Sequence, residues 1–131
     1  MIKIKTKKKP LGAVILLMNK LGDILILRRA PESYFAPNQW GFPGGKIEEG
    51  ETACEAALRE TLEETELRVY SPQPLGVFNN AVEAFFSNEF EGSVKIDFEH
   101  TDWKWVSPDD LVTYDLAPSV HEIYNAARKT E

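Results

Sequence analysis

The sequence predicts a mixed α/β fold built in layers. Three observations carry that expectation. Apolar runs of strand length fill both halves of the chain, two segments show helical spacing, and the elements follow the order β-β-α-β-β-α. The length of 131 residues matches one domain, expected over 1–131, and 43% hydrophobic residues suffice for a core.

The elements follow in order. "MIKIKTKKK" alternates Ile2, Ile4 and Thr6 with Lys3, Lys5 and Lys7, which reads as a half-exposed edge strand guarded by lysines. "LGAVILLMNKLGDILILRRA" holds two apolar runs around "NKLG" and predicts a hairpin, its first strand lying in a buried sheet. "PESYFAPNQWGFPGG", rich in Pro, Gly and aromatics, reads as a loop. A helix is expected from about Thr52 to Glu66. "PLGVFNNAVEAFFSNEF" and "GSVKIDFEHTDWKWV" are strand-rich, and "SPDDL" suits a turn or short helix start. "APSVHEIYNAARK" closes the chain as an amphipathic helix, with Val120, Ile123, Tyr124 and Ala127 at helical spacing.

Charge and cysteine usage narrow the function. A net charge of −6 argues against general affinity for nucleic-acid backbones but leaves a small anion brought in with cations. The single cysteine, Cys54, excludes an internal disulfide framework and fits a reducing compartment. No apolar run reaches membrane-spanning length and no secretory leader pattern is present, so a cytoplasmic protein with no membrane partner is expected.

The first helix carries the chemistry. At about 100° per residue, Glu60, Glu63 and Glu64 share one stripe, with the small Ala53, Ala56 and Ala57 on or beside it, where another segment could approach closely. Cys54, Leu58, Thr61, Leu62 and Thr65 fall on the other side and are expected to pack on the sheet. A helix needing only solubility would mix in lysine. The alternatives are a solvated acidic face or a site for a hard divalent cation, which takes carboxylate oxygens. The stretch before the helix favours the second. "FPGGKIEEGE" offers a tight loop whose backbone can approach a ligand, together with Glu48, Glu49 and Glu51, and Arg59 can orient a carboxylate or meet a phosphate.

The stretch resembles the Nudix box. Gly45, Glu51, Arg59-Glu60, Glu63-Glu64 and Leu67 stand at its spacing, Thr61 replaces a usual aliphatic, and Glu66 replaces the usual glycine, so that the helix end could differ. "LILRRA", "WGFPGG" and "FEHTDWKWVSPDDL" extend a MutT-like resemblance over most of the chain. It implies an α/β/α sandwich with a mixed sheet and a loop-helix-loop box. It also implies a hydrolase using Mg²⁺ or Mn²⁺ to cleave a nucleoside diphosphate linked to another moiety, with a (d)NTP or related small nucleotide as substrate. Glu60, Glu63 and Glu64 look like metal ligands with the Gly44 carbonyl, and Glu51 and Arg59 like the pair that supports them. The general base is either a box glutamate or Glu99, with Asp97 and His100 beside it. Arg29 (or Arg28) could meet a phosphate, and Trp40, Tyr34, Phe35 and Phe78 could stack on a base. Ser119 stands near the start of the last helix, where relatives that clean oxidised guanine nucleotides carry a base-reading asparagine; here Asn125 comes later. The alternative is a Nudix-fold module that senses a nucleotide or binds a protein without hydrolysis. A monomer or homodimer fits either.

Overall fold

A computed structural model describes residues 9–129. The lysine-rich strand expected at the N-terminus lies outside the described residues.

Strands β1 (Gly12–Leu17) and β2 (Ile24–Arg29) form the centre. Both are nearly continuous apolar runs because both of their faces are covered. Successive strand residues point to opposite faces. Leu16, Ile24 and Ile26 therefore enter one core, and Ala13, Ile15, Leu17, Leu25 and Leu27 enter another. Helix α1 (Ala53–Thr65) seals the second core with Ala56 and Ala57. Helix α2 (Val120–Arg128) seals the first with Val120, Ile123 and Ala127. The result is the α/β/α sandwich.

The segment around "NKLG" turns as its residues dictate. Asn19 Oδ1 accepts from the N–H groups of Leu21 and Asp23, and Met18 bridges Ile24. The expected hairpin goes no further. β1 pairs antiparallel with β4 (Gly44–Lys46) and parallel with β7 (Val82–Ser87), which also pairs with β6 (Gln73–Phe78). β2 pairs instead with β3 (Trp40–Gly41) and β9 (His100–Val106). Both edges of β1 are thus occupied by distant strands, and the two runs diverge into separate sheets. The segment expected as plain loop contains β3 and the start of β4. Of "GSVKIDFEHTDWKWV", only the part from His100 is strand; the chain from Ser93 to Asp97 is irregular. A small pair, β5 (Arg68–Tyr70) with β8 (Glu89–Glu91), flanks the end of α1, and a 3-10 turn spans Pro108–Thr113.

Helix α1 has the predicted bounds. Thr52 and Glu55 form a reciprocal capping box, satisfying two N–H groups at the helix start. Glu66 ends the helix in the left-handed conformation, φ 62°, its N–H donating to the Leu62 carbonyl at 2.9 Å. The helix end is therefore the one glycine would give, at a local cost of about 1–2 kcal/mol for a residue with a Cβ. The buried face differs from the expectation. Ala56, Ala57, Thr61, Glu64 and Thr65 are buried, whereas Leu62 is exposed. The small residues let the helix lie close to β1 and β4, which turns Glu64 inward and Leu62 outward.

Thr61 supplies a methyl where an aliphatic is usual, but its buried Oγ1 has no hydrogen-bond partner among the described residues. An unsatisfied hydroxyl in a core costs roughly 1–3 kcal/mol, so Thr61→Val should stabilise the protein by about 1 kcal/mol. Thermal melting should show a rise of a few degrees; an unchanged or lowered Tm would contradict the orphaned hydroxyl.

Candidate active site

The site grows from the junction of β4 and α1. Gly44 lies against β1 with φ +153°, and a Cβ there would stand 2.2 Å from the Ala13 carbonyl oxygen, so only glycine keeps β4 paired. A Cβ on Gly45 would meet the Glu60 carboxyl carbon at 2.6 Å. The glycine pair thus admits two things at once: β1 on one side and the helix carboxylates on the other.

Arg59 organises the charges. Its Nε and Nη2 donate to both oxygens of Glu51 at 2.8 and 2.9 Å, a bidentate pair. Nη1 donates to Glu60 at 2.9 Å and more weakly to Glu63 at 3.4 Å; Nη2 also reaches the Lys46 carbonyl at 3.1 Å. The guanidinium holds the Glu51 carboxyl down at about 2, and Glu51 and Glu60 in turn raise the Arg59 pKa.

Glu64 behaves differently. It is 3% exposed, and its Oε1 accepts from the Gly44 N–H at 3.0 Å. Burial pushes its pKa up to about 9; that hydrogen bond opposes the shift, and the charges of Glu60, Asp97 and Glu99 add to it. Glu60 is also raised, again chiefly by burial. Like charges in a poorly solvated place favour the protonated form.

The structure thus brings Glu60, Glu64, Asp97 and Glu99 within electrostatic reach and places Glu51 and Arg59 as a tied pair. The charge of Glu63 also reaches Glu60, although its side chain is largely exposed and leans on Arg59 rather than turning in beside Glu64. Among the described residues, no three acidic, histidine or cysteine side chains stand ready as a metal-binding group. Glu99 is exposed and its carboxylate makes no hydrogen bond or ion pair among the described residues.

The substrate-side candidates are dispersed. Arg29 is tied to its own loop, with Nε donating to the Phe35 carbonyl at 2.6 Å and Nη2 to Ser33 Oγ at 2.9 Å. Trp40 is buried in the α2 core, edge-on to Tyr114, with Lys104 Nζ 5.8 Å from its ring centre. Phe78 packs partly against the same core, and buried Ser119 accepts a hydrogen bond from the Asn79 side-chain amide. Tyr34 and Phe35 are exposed. A cavity of about 310 Å³ lies elsewhere; Leu67, Phe90, Trp103 and Trp105 line it, and no carboxylate does. Sequence reasoning missed the Gly44 N–H to Glu64 bond and the contact of His100 Nδ1 with Asp97 Oδ1 at 2.8 Å. The i, i+3 spacing of Asp97 and His100 just before a strand was the available signal for the second.

The sequence pattern of the NUDIX domain matches residues 8–127, and the chain belongs to the Nudix hydrolase family. It is 34% identical over 106 residues to a protein of Bacillus subtilis (strain 168) provisionally named as an 8-oxo-dGTP diphosphatase, covering 76% of this chain and 68% of that one. It is 31% identical over 136 aligned positions to an RNA pyrophosphohydrolase of Wolbachia pipientis subsp. Culex pipiens, covering 84% and 81%. The crystal structure of a MutT protein from Methanosarcina mazei Go1 superposes with a TM-score of 0.78 at 24% identity, over 97% of this chain and 99% of that one, which shows the shared fold. No helix among the described residues is long and apolar enough to cross a membrane.

The burial of Glu64 fixes the sign of a pH effect. A carboxyl whose folded pKa lies near 9 keeps its proton in the folded state after the unfolded chain has released it, from about pH 4.5 upward. Without metal, the wild type should therefore lose stability as pH rises between these values. Glu64→Gln retains an acceptor for the Gly44 N–H and removes the titration. In EDTA its melting temperature should exceed that of the wild type by a margin that widens from pH 5 to pH 9. A variant strongly destabilised at pH 8 would contradict this placement of the carboxyl.

Proposed function

We propose that the chain is a divalent-metal-dependent pyrophosphohydrolase of small nucleotides, with a nucleoside or deoxynucleoside triphosphate, or a related nucleoside diphosphate derivative, as substrate. The observation that supports this most is Glu64, a carboxyl buried beside Glu60, Asp97 and Glu99, while the neighbouring guanidinium of Arg59 bonds Glu51 and Glu60 instead. Such crowding is unfavourable unless a cation enters.

The donor set suits Mg²⁺ or Mn²⁺, since the carboxylates of Glu60, Glu63 and Glu64 and the Gly44 carbonyl are all hard oxygens. Glu60 and Glu63 now lean on Arg59 and would turn from it to join Glu64. A bound ion supplies neutralisation of phosphate charge and a water of lowered pKa. Glu51 keeps Arg59 in place, and Arg59 sets the rotamers from which Glu60 and Glu63 start. Glu99, exposed and unpaired among the described residues, is the carboxylate free to accept the proton of an attacking water; a box glutamate is the competing assignment. Arg29 would leave Ser33 to meet a phosphate, and Trp40, Phe78 and Ser119 would border the base on the α2 side. The named activities of the relatives, on 8-oxo-dGTP and on RNA, bracket the substrate class. The net charge of −6 favours a small nucleotide over a polynucleotide.

Hydrolysis should require added Mg²⁺ or Mn²⁺, stop in excess EDTA, and fall by orders of magnitude in Glu64→Gln. A screen of NTPs, dNTPs, nucleotide sugars, ADP-ribose, dinucleoside polyphosphates and 5′-triphosphate RNA, following phosphate and pyrophosphate release, identifies the substrate. Full turnover in EDTA would sink the metal requirement. Glu99→Gln should lower kcat by roughly 10²–10⁴-fold with an unchanged Tm. A loss below about threefold would move the proton acceptor to the box.

A further inference from the structure

The turn that carries Glu99 is held at both of its ends. Ahead of it, the Asp97 N–H donates to the Glu64 carbonyl of α1 at 3.2 Å. At Glu99 itself, the carbonyl accepts from the Ala30 N–H at 2.9 Å. The turn is closed across its own width by His100, whose backbone N–H donates to the Asp97 carbonyl at 3.3 Å and whose Nδ1 lies 2.8 Å from Asp97 Oδ1. The carboxylate can only accept in that bond when ionised, so the ring N–H donates. The His100 side chain is 4% exposed, and Asp97 is 19% exposed. Glu99 is the one acid of this turn left without a partner among the described residues.

A second observation concerns how His100 comes to point there. The β2–β9 register runs Ile24↔Val106 through Arg28↔Asp102 and then jumps to Arg29↔His100, leaving Thr101 as an extra residue. Such a bulge reverses the face on which the following side chains lie. Paired residues share a face, so His100 joins the side of Arg29, Leu27 and Leu25, on which α1 packs. Without the extra residue, the imidazole would lie on the α2 face and could not close the turn.

We propose that His100 is a positioning residue: by holding Asp97 it fixes the turn 97–100 in the form that presents Glu99 to Glu60 and Glu64. This rests on the role given above to Glu99. Asp97 is thereby occupied, and the choice between two neighbouring acids is made by a hydrogen bond rather than by their intrinsic basicity. Displacement of a reacting group by about 1 Å can cost on the order of a hundredfold in rate, so loss of the imidazole should act on kcat far more than on KM.

The test combines kinetics with amide exchange. His100→Phe should lower kcat roughly tenfold to a hundredfold with KM within about twofold, and the amides of Asp97 and Ala30 should lose exchange protection. His100→Asn places an N–H near the position of Nδ1 and should recover most of the rate. Asp97→Ala, at a partly exposed position, should reproduce the loss without a folding defect, whereas Asp97→Asn keeps the acceptor and should not. In a Glu99→Gln background, His100→Phe should cost less than about twofold, because the group it positions is already gone. Independent, multiplying losses would overturn the proposal. So would full protection of both amides in His100→Phe, or an Asp97→Asn variant as impaired as Asp97→Ala. If Glu99→Gln is nearly silent while the two amides still open in His100→Phe, the role of Glu99 is overturned and the hold of His100 on the turn is supported.

Discussion

The guanidinium of Arg59 touches Glu51, Glu60 and Glu63, comes within 3.8 Å of Glu48, and so fastens the loop before α1 to the helix. Its bidentate bond to Glu51 sets the path of residues 46–52, and that path sets where β4 lies against β1. One positive charge among four carboxylates leaves the region acidic. Glu64, buried, accepts among the described residues a hydrogen bond only from the Gly44 backbone N–H. The local arrangement is therefore incompletely compensated, and its shortage of positive charge faces the same place as Glu60, Asp97 and Glu99.

Helix α1 tolerates several local costs in that position. It holds a non-glycine residue in the left-handed conformation at Glu66, a hydroxyl without a partner among the described residues at Thr61 and a carboxyl under burial at Glu64. What offsets them is the capping box at Thr52 and the close packing of Ala56 and Ala57 on a core of Ala13, Ile15, Leu17, Leu25 and Leu27. Each fully buried Ile or Leu side chain there contributes about 1.5–3 kcal/mol. Local consistency gives way at the residues nearest the proposed chemistry, where such exceptions are expected.

The parts of this fold legible in the sequence were those determined locally. The bounds of α1 follow from Thr52, Glu55 and the change of pattern at Glu66, and α2 follows from the spacing of Val120, Ile123 and Ala127. The turn at Asn19 was equally readable from its chemistry, but the fate of the strands was not. β1 takes partners from Gly44 and Val82 onward, and no short-range signal records that preference. β3 and β4, at two and three residues, are too short for a periodicity to show. The box spacing singles out Glu51, Arg59, Glu60, Glu63 and Glu64, and in the structure Arg59 bonds Glu51, Glu60 and Glu63 while the charge of Glu60 reaches Glu64. The unequal burial of Glu63 and Glu64 depends instead on the depth at which the helix lies, which small alanines decide. Trp40 reads as an aromatic in a loop, but its backbone N–H and carbonyl bond the Asp115 carbonyl and the Ala117 N–H, which ties it beside the segment leading into α2, and its ring enters that core.

The two central strands divide their side chains between opposite cores, residue by residue. Leu16, Ile24 and Ile26 answer to α2, while their immediate neighbours Ile15, Leu17, Leu25 and Leu27 answer to α1. A substitution on one face is felt mainly within that face, although both faces share the same backbone. Over evolutionary time, the α2 side can drift and acquire a different shape, while the α1 side keeps the helix and its acids at an unchanged depth. Descendants of such a chain can therefore reshape one face of the sheet while the other stays as it was.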